Sequence, residues 1–134
     1  MVNVSVIVLN WNGKKHAEEC LHSLFQQNYK DFEVLFVDNQ SSDGSVEFVE
    51  KKFPAKKYPK LRVLPSGGNL GQGGGDNFGI KRAKGKYVVL LDNDTKVDKD
   101  FLKEALKVAE KDNKIGAVVA KLMFYDKPNL INSI

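Results

Sequence analysis

The sequence has a single cysteine, Cys20, which excludes an internal disulfide and a cysteine-based zinc site. Its two histidines, His16 and His22, do not share a helical face, and neither is spaced from Cys20 as metal ligands are. All three are read as structural, with Cys20 buried on an apolar stripe. Arginine is scarce as well: 2 of the 21 basic residues, against 17 acidic ones, for a net charge of +4. That excess is mild and spread out, so no nucleic-acid partner is expected. No apolar run is long. Val6–Leu9 and Tyr87–Leu91 fall far short of a bilayer span, so no transmembrane segment is expected. The opening MVNVSVIVLN lacks the basic region and cleavage site of a secretory signal. Disorder is excluded by a hydrophobic content of 42%. The 134 residues suffice for one sizeable core, and the expectation is one soluble, cytoplasmic α/β domain over 1–134.

What is present is a regular alternation. Val2–Leu9 is β-branched and apolar and reads as a strand, broken by Asn10-Trp11-Asn12-Gly13. Ala17, Cys20, Leu21, Leu24 and Phe25 then form one helical stripe. Glu33–Val37 reads as a second strand, and Val46, Val49 and Phe53 mark a short helix stopped by Pro54. The lysine-rich stretch Lys51–Lys60 reads as a solvated loop. Leu61–Leu64 is a third strand. Ser66–Gly75, with six glycines in ten residues, reads as a loop before a helix running to about Ala83. Tyr87–Leu91 is a fourth strand; Leu102, Ala105, Leu106 and Ala109 mark a helix with Asp98 or Asp100 as its cap. Ile115–Phe124 reads as a fifth strand, and Tyr125–Ile134 shows no period. The order β-α-β-α-β-α-β-α-β implies a Rossmann-like, mainly parallel sheet with helices on both faces. Ligands of such sheets sit beyond the carboxyl ends of the strands. There the sequence places Asn10 and Asn12, Asp38, the glycine segment, and Asp92 with Asp94.

Two phosphate motifs fail on spacing. Between Gly79 and Gly85-Lys86 lies one residue too many for a P-loop, and Tyr87 replaces its Ser or Thr. A dinucleotide fingerprint beginning at Gly71-Gln72-Gly73 meets Asp76 where a small residue is needed. Asp92-Asn93-Asp94 is more informative. Two carboxylates two residues apart, just past a strand, can share one hard cation, Mg²⁺ or Mn²⁺, whose other ligands come from phosphates and water. The plainer reading is a turn with an Asx cap. Asp38 can accept from a base or ribose, or cap its own loop through Ser41 or Ser42. Trp11 can stack on a base, or simply pack.

Together these segments resemble the inverting nucleotide-sugar glycosyltransferases of family 2, of GT-A fold, rhamnosyltransferase-like. VSVIVLNWNGKKHAEECLHSL is similar to that family's first strand, aromatic-Asn turn and first helix. VLFVDNQSSDGS and GGNLGQGGGDNFGIKRAKGKYVVLLDNDT resemble its next two conserved stretches, and IGAVVAKLMFYDKPNLINSI the strand after its D-x-D motif. The resemblance implies an enzyme that moves a sugar from a nucleoside diphosphate sugar to a hydroxyl acceptor, glycan or lipid-linked, with a divalent metal. By the same resemblance Asn10, Trp11 and Asn12 border base and ribose, and Asp38 contacts the base. Asn69, Gly71 and Asn77 shape the phosphate side; Asp92 contacts ribose or metal, and Asp94 holds the metal. Asp76 stands where many members carry Arg. The family continues into an acceptor half that supplies a carboxylate base, and Asp126 is the only acid after Asp112 here. The chain is therefore expected to be the donor-binding half, to lack the base, to transfer little sugar alone, and to self-associate through an uncovered apolar face. A location at the inner face of the membrane fits a lipid-linked acceptor. The alternative is a non-catalytic nucleotide-binding or assembly module on the same fold.

Overall fold

The computed structural model describes residues 2–133. They form two compact units, divided between Lys99 and Asp100. The first unit is built on four strands: β1 (Val4–Asn10), β2 (Phe32–Asp38), β3 (Leu61–Pro65) and β4 (Tyr87–Asp92). Helices α1 (Lys14–Phe25), α2 (Ser45–Lys52) and α3 (Gly71–Ile80) connect them. All neighbouring strands are parallel, in the order β3-β2-β1-β4. The expected parallel α/β sheet is present, with every one of its four strands where the apolar runs put them.

The two central strands, β1 and β2, are buried because they are apolar on both faces. Ile7, Leu35 and Val37 form a fully buried cluster on one face, with Phe78 of α3 and Ala83 packed against it. Val6, Val8, Val34 and Phe36 alternate with them and are equally buried on the other face. The buried stripe of α1 (Ala17, Cys20, Leu21, Leu24) and Val49 of α2 serve that second face. Beside them the rings of Phe25, Phe53 and Tyr58 pack together at centroid distances of 4.8–5.8 Å. The lysines between α2 and β3 are exposed, as a solvated loop requires.

Two elements differ from the sequence reading. Half of the glycine segment is helix: α3 starts at Gly71 and includes Gly73, Gly74 and Gly75. Glycine is a poor helix former, and packing overrides that preference here. A Cβ on Gly75 would lie 2.4 Å from Leu9 Cδ1, and one on Gly79 would lie 2.7 Å from Ile7 Cγ2. One turn apart on the helix, these two glycines let α3 lie directly on β1 and β2.

The second difference lies in the second unit. It holds α4 (Phe101–Ala109), whose Leu102 and Leu106 are buried, and a short antiparallel pair, β5 (Leu122–Met123) with β6 (Ile131–Ser133). The expected fifth strand over 115–124 is thus reduced to two residues and pairs antiparallel with a strand the sequence did not announce. Val119 is 80% exposed, and Leu122, Phe124 and Tyr125 are exposed as well. An apolar pattern states what a segment would bury, and the described residues supply no cover for this one. In the first unit, edge strand β4 likewise presents Val88 and Leu90 to solvent.

Candidate functional site

The carboxyl ends of β1, β2 and β4 meet at one rim, and the loops there are tied to one another. Asn10, the last residue of β1, is fully buried. Its Nδ2 donates to Asp38 Oδ1 at the end of β2 (2.8 Å) and to Ser41 Oγ (3.1 Å). Its Oδ1 accepts from Asn93 Nδ2, just beyond β4 (2.5 Å). Asp38, 3% exposed, also accepts from the Ser41 N–H at 2.9 Å. Asn12 takes a left-handed backbone (φ 50°), which Asn tolerates; its N–H donates to Ser41 Oγ, and its Oδ1 accepts from the Ser42 N–H. Asp43 receives the N–H groups of Lys14 and Ser45, so one carboxylate serves the first turns of both α1 and α2. Burial alone would push the Asp43 carboxyl up, but these bonds and that of the Ser45 hydroxyl hold it below the usual range.

Above this laced floor opens a cavity of about 470 Å³, lined by Leu9, Trp11, Asn39, Asn69, Gly71, Gln72, Asp92, Asn93 and Asp94. That volume suits a ligand of nucleotide size, since small-molecule sites span roughly 300–1,000 Å³. Trp11 is 59% exposed, so its ring is not core and is available to a planar partner. Asn69 Oδ1 accepts the Gly71 N–H (3.0 Å), fixing the entry to α3, whose N-terminus begins at the cavity. Asp92 and Asp94 are exposed on a turn closed by Thr95, whose N–H and hydroxyl both donate to the Asp92 carbonyl (3.2 and 2.7 Å). Gln72 reaches Asp92 Oδ1 at 3.5 Å. Burial, and then the charge of Asp92, push the Asp76 carboxyl above its ordinary range. Acid is therefore concentrated on this rim.

Of the residues singled out from sequence, Trp11, Asn69, Gly71, Asp92 and Asp94 line the cavity. Asn10 and Asp38 lie buried beneath it, bonded to each other. Asn12 belongs to the loop lacing, and Asn77 is exposed on α3 away from the lining. Four lining residues, Leu9, Asn39, Gln72 and Asn93, were not singled out as site residues from the sequence. Asn39 is 2% exposed, and its Nδ2 donates to the Gly71 carbonyl at 2.8 Å, pinning the start of α3 to the end of β2. Asn93 does the same service between β4 and β1. The available signal was a repeated dipeptide: β2 and β4 both end on an Asp that is followed by Asn.

Hard oxygen donors fit a hard divalent cation, and Asp92 and Asp94 are such a pair at the edge of the cavity. Among the described residues no group of three or more acidic, His or Cys side chains is gathered as a metal cage. A cation held here would take its other ligands from substrate and water, as Mg²⁺ commonly does. Cys20 is no ligand. Its thiol is fully buried, 3.8 Å from the Asp92 carbonyl, and burial pushes its pKa up to about 12.

An open parallel sheet of order β3-β2-β1-β4, with an acidic cleft at its carboxyl rim, defines a Rossmann-like protein of the GT-A glycosyltransferase type. Residues 5–133 match the Glycosyl transferase family 2 model, and the chain belongs to that family. It is 36% identical over 107 residues to the Staphylococcus aureus poly(ribitol-phosphate) beta-N-acetylglucosaminyltransferase TarS, covering 78% of this chain and 18% of TarS. It is 32% identical over 103 residues to the putative teichuronic acid biosynthesis glycosyltransferase TuaG of Bacillus subtilis, covering 77% of this chain and 40% of TuaG. Among solved structures, S. aureus TarS 1–349 in complex with UDP-GlcNAc superposes with a TM-score of 0.74 at 30% identity, over 92% of this chain and 38% of that one. The mannosyltransferase PcManGT of Pyrobaculum calidifontis, in complex with GDP-Man and Mn²⁺, does so with a TM-score of 0.81 at 29% identity, over 91% of this chain and 36% of that one. The chain thus spans well under half the length of these relatives. No helix among the described residues is long and apolar enough to cross a membrane.

Proposed function

We propose that this chain is the donor-binding part of a glycosyltransferase, taking a nucleoside diphosphate sugar and a divalent cation in the rim cavity. The observation that carries this reading is the joint lining of that cavity by Trp11, the start of α3 and the Asp92–Asp94 pair. Each part answers a part of the donor. The Trp11 face stacks on the base. The backbone N–H groups at the start of α3 favour the diphosphate. Asp92 and Asp94 would hold the cation, which neutralises the diphosphate and its developing charge as the sugar departs. Asn10, Asp38 and Ser41 beneath keep the base-side loop in one conformation, and Asn39 holds the phosphate side. That two solved relatives carry UDP-GlcNAc and GDP-Man with Mn²⁺ supports the class of ligand.

Sugar transfer to a hydroxyl acceptor, with inversion and with a carboxylate base outside this chain, is proposed for the full enzyme. The same reading puts it in the cytoplasm, near a membrane-bound acceptor. The test is calorimetric titration of UDP, GDP and dTDP, each with and without Mn²⁺, into wild type and Asp94→Ala. Mn²⁺-dependent binding of one nucleotide, weakened at least about tenfold in the variant, is the expected result. Absence of binding by all three would refute the donor-site reading in favour of a non-catalytic module.

A further inference from the structure

We propose that Asn93 is a positioning residue for the acidic turn: its side-chain bond to Asn10 locks Asp92 and Asp94 to the end of β1, where one cation can take both. The inference rests on the donor-site reading above and assigns a role within it. The argument is one of forced hydrogen-bond direction. Asp38 can only accept, so Asn10 must turn its amide nitrogen toward it (2.8 Å), and the second hydrogen goes to Ser41 Oγ (3.1 Å). The Asn10 oxygen is then left facing Asn93, which must donate, at 2.5 Å. No member of this relay can flip without setting acceptor against acceptor. The bond joins the ends of three strands, β2 through β1 to β4.

The space around the bond is equally specific. A Cβ on Gly13 would lie 1.8 Å from Asn93 Nδ2 and 2.8 Å from Asn10 Oδ1. The Asn93 amide thus fills the volume that any other residue at position 13 would claim. Asn93 is half-buried, whereas Asp92 and Asp94 on either side are exposed. The middle residue anchors the turn inward, and its neighbours are presented outward, with Thr95 closing the turn on the Asp92 carbonyl. A loose turn would let the two carboxylates separate, and a cation would lose one of them.

The experiment titrates UDP, GDP and dTDP, with and without Mn²⁺, into wild type, Asn93→Ala, Asn93→Asp, Asn10→Ala and the Asn10→Ala/Asn93→Ala double variant, with thermal unfolding alongside. The expected loss in Asn93→Ala is about 10–100-fold, as for partners that orient metal ligands, and confined to the Mn²⁺-dependent part of the affinity. A merely structural role would instead weaken binding equally with and without Mn²⁺. Asn93→Asp has nearly the same size and keeps the test open if the alanine variant does not fold. On charge alone a third carboxylate would tighten the cation, whereas loss of the donated hydrogen bond weakens it. The double variant is expected to bind no worse than Asn10→Ala, because both remove one interaction. Asn93→Asp binding as tightly as wild type, or additive losses in the double variant, overturns the inference and leaves the donor site standing. Wild type that binds no nucleotide, dTDP included, overturns both.

Discussion

The two ends of the same sheet spend their polar groups in opposite ways. At the amino end Ser5, Glu33 and Arg62, each the second residue of its strand, close on one another. Glu33 accepts from Ser5 Oγ (2.8 Å), the Lys84 N–H (2.8 Å) and Arg62 Nη1 (3.2 Å). Ser5 Oγ in turn accepts from the Lys84 and Gly85 N–H groups. Burial alone would raise the Glu33 carboxyl, but these bonds and the Arg62 charge hold it below the usual range. At the carboxyl end the amides are satisfied internally, while Asp92 has one long bond from Gln72 and Asp94 has no hydrogen-bond or ion-pair partner among the described residues. The first arrangement is what a fold needs. The second leaves acid facing an open cavity, and that unspent capacity is what a ligand can use.

Breaking the amino end should cost the most stability. Glu33→Ala strands a buried hydroxyl, a backbone N–H and a guanidinium. Because Arg62 is half-exposed, the expected loss is about 2–3 kcal/mol, below the ~3–5 kcal/mol of a fully buried pair, in urea unfolding. Gly85→Ala follows, because its Cβ would meet Ser5 N at 2.6 Å and the Val4 carbonyl carbon at 2.7 Å, both backbone. That substitution should cost about 1–3 kcal/mol. Gly73→Ala sharpens the contrast from the other end. Nothing lies within 4 Å of its Cβ, and it sits in α3, so it should stabilise by about 0.5–1 kcal/mol. Asp94→Ala, so damaging to Mn²⁺-dependent nucleotide binding, should change stability by less than about 0.5 kcal/mol. If Asp94→Ala unfolds the chain as Glu33→Ala does, the division between the two ends is wrong.

The acid response sorts the ends as well. The Glu33 carboxyl titrates lower in the folded chain than in the unfolded one, so the unfolded chain binds its proton first as pH falls. Its stabilising contribution is complete above the ordinary glutamate range and is lost as pH falls toward the folded value. Asp76 works in the opposite sense: raised in the fold, it costs stability as pH rises through the carboxylate range. Unfolding temperature measured against pH should therefore show a shallower acid decline in Glu33→Gln than in wild type.

How far the sequence could be read follows from the same physics. The strands of the first unit were legible because each carries a short apolar run, and the two central ones, β1 and β2, are buried on both faces, as the middle of a parallel sheet demands. The acidic pair was legible because a carboxylate just past such a run stands at the rim whatever the details. Helix α3 was legible in its second half but not in its glycine-rich start, since glycine signals a turn when considered alone; contact of Gly75 with Leu9 and of Gly79 with Ile7 is what makes the segment a helix packed at backbone distance. Residues 115–124 misled for the opposite reason. Their apolar composition matches a buried strand, yet Val119 and its neighbours are exposed. Asn39 and Asn93 escaped because an amide's role depends on what its partners can donate or accept, and Gly71 and Asn10 meet them only in space.

The burial of Cys20 has a practical consequence. The lone thiol is fully enclosed and its pKa stands at about 12, so near neutral pH almost none of it is thiolate, the form that reacts. A maleimide offered to the native chain should find nothing to modify until the fold opens. A cysteine introduced at Gln72, on the lining of the cavity, would then be the sole labelled position. A fluorophore there would report arrival of a nucleotide without background, and slow labelling of Cys20 itself would time how often α1 lifts from the sheet.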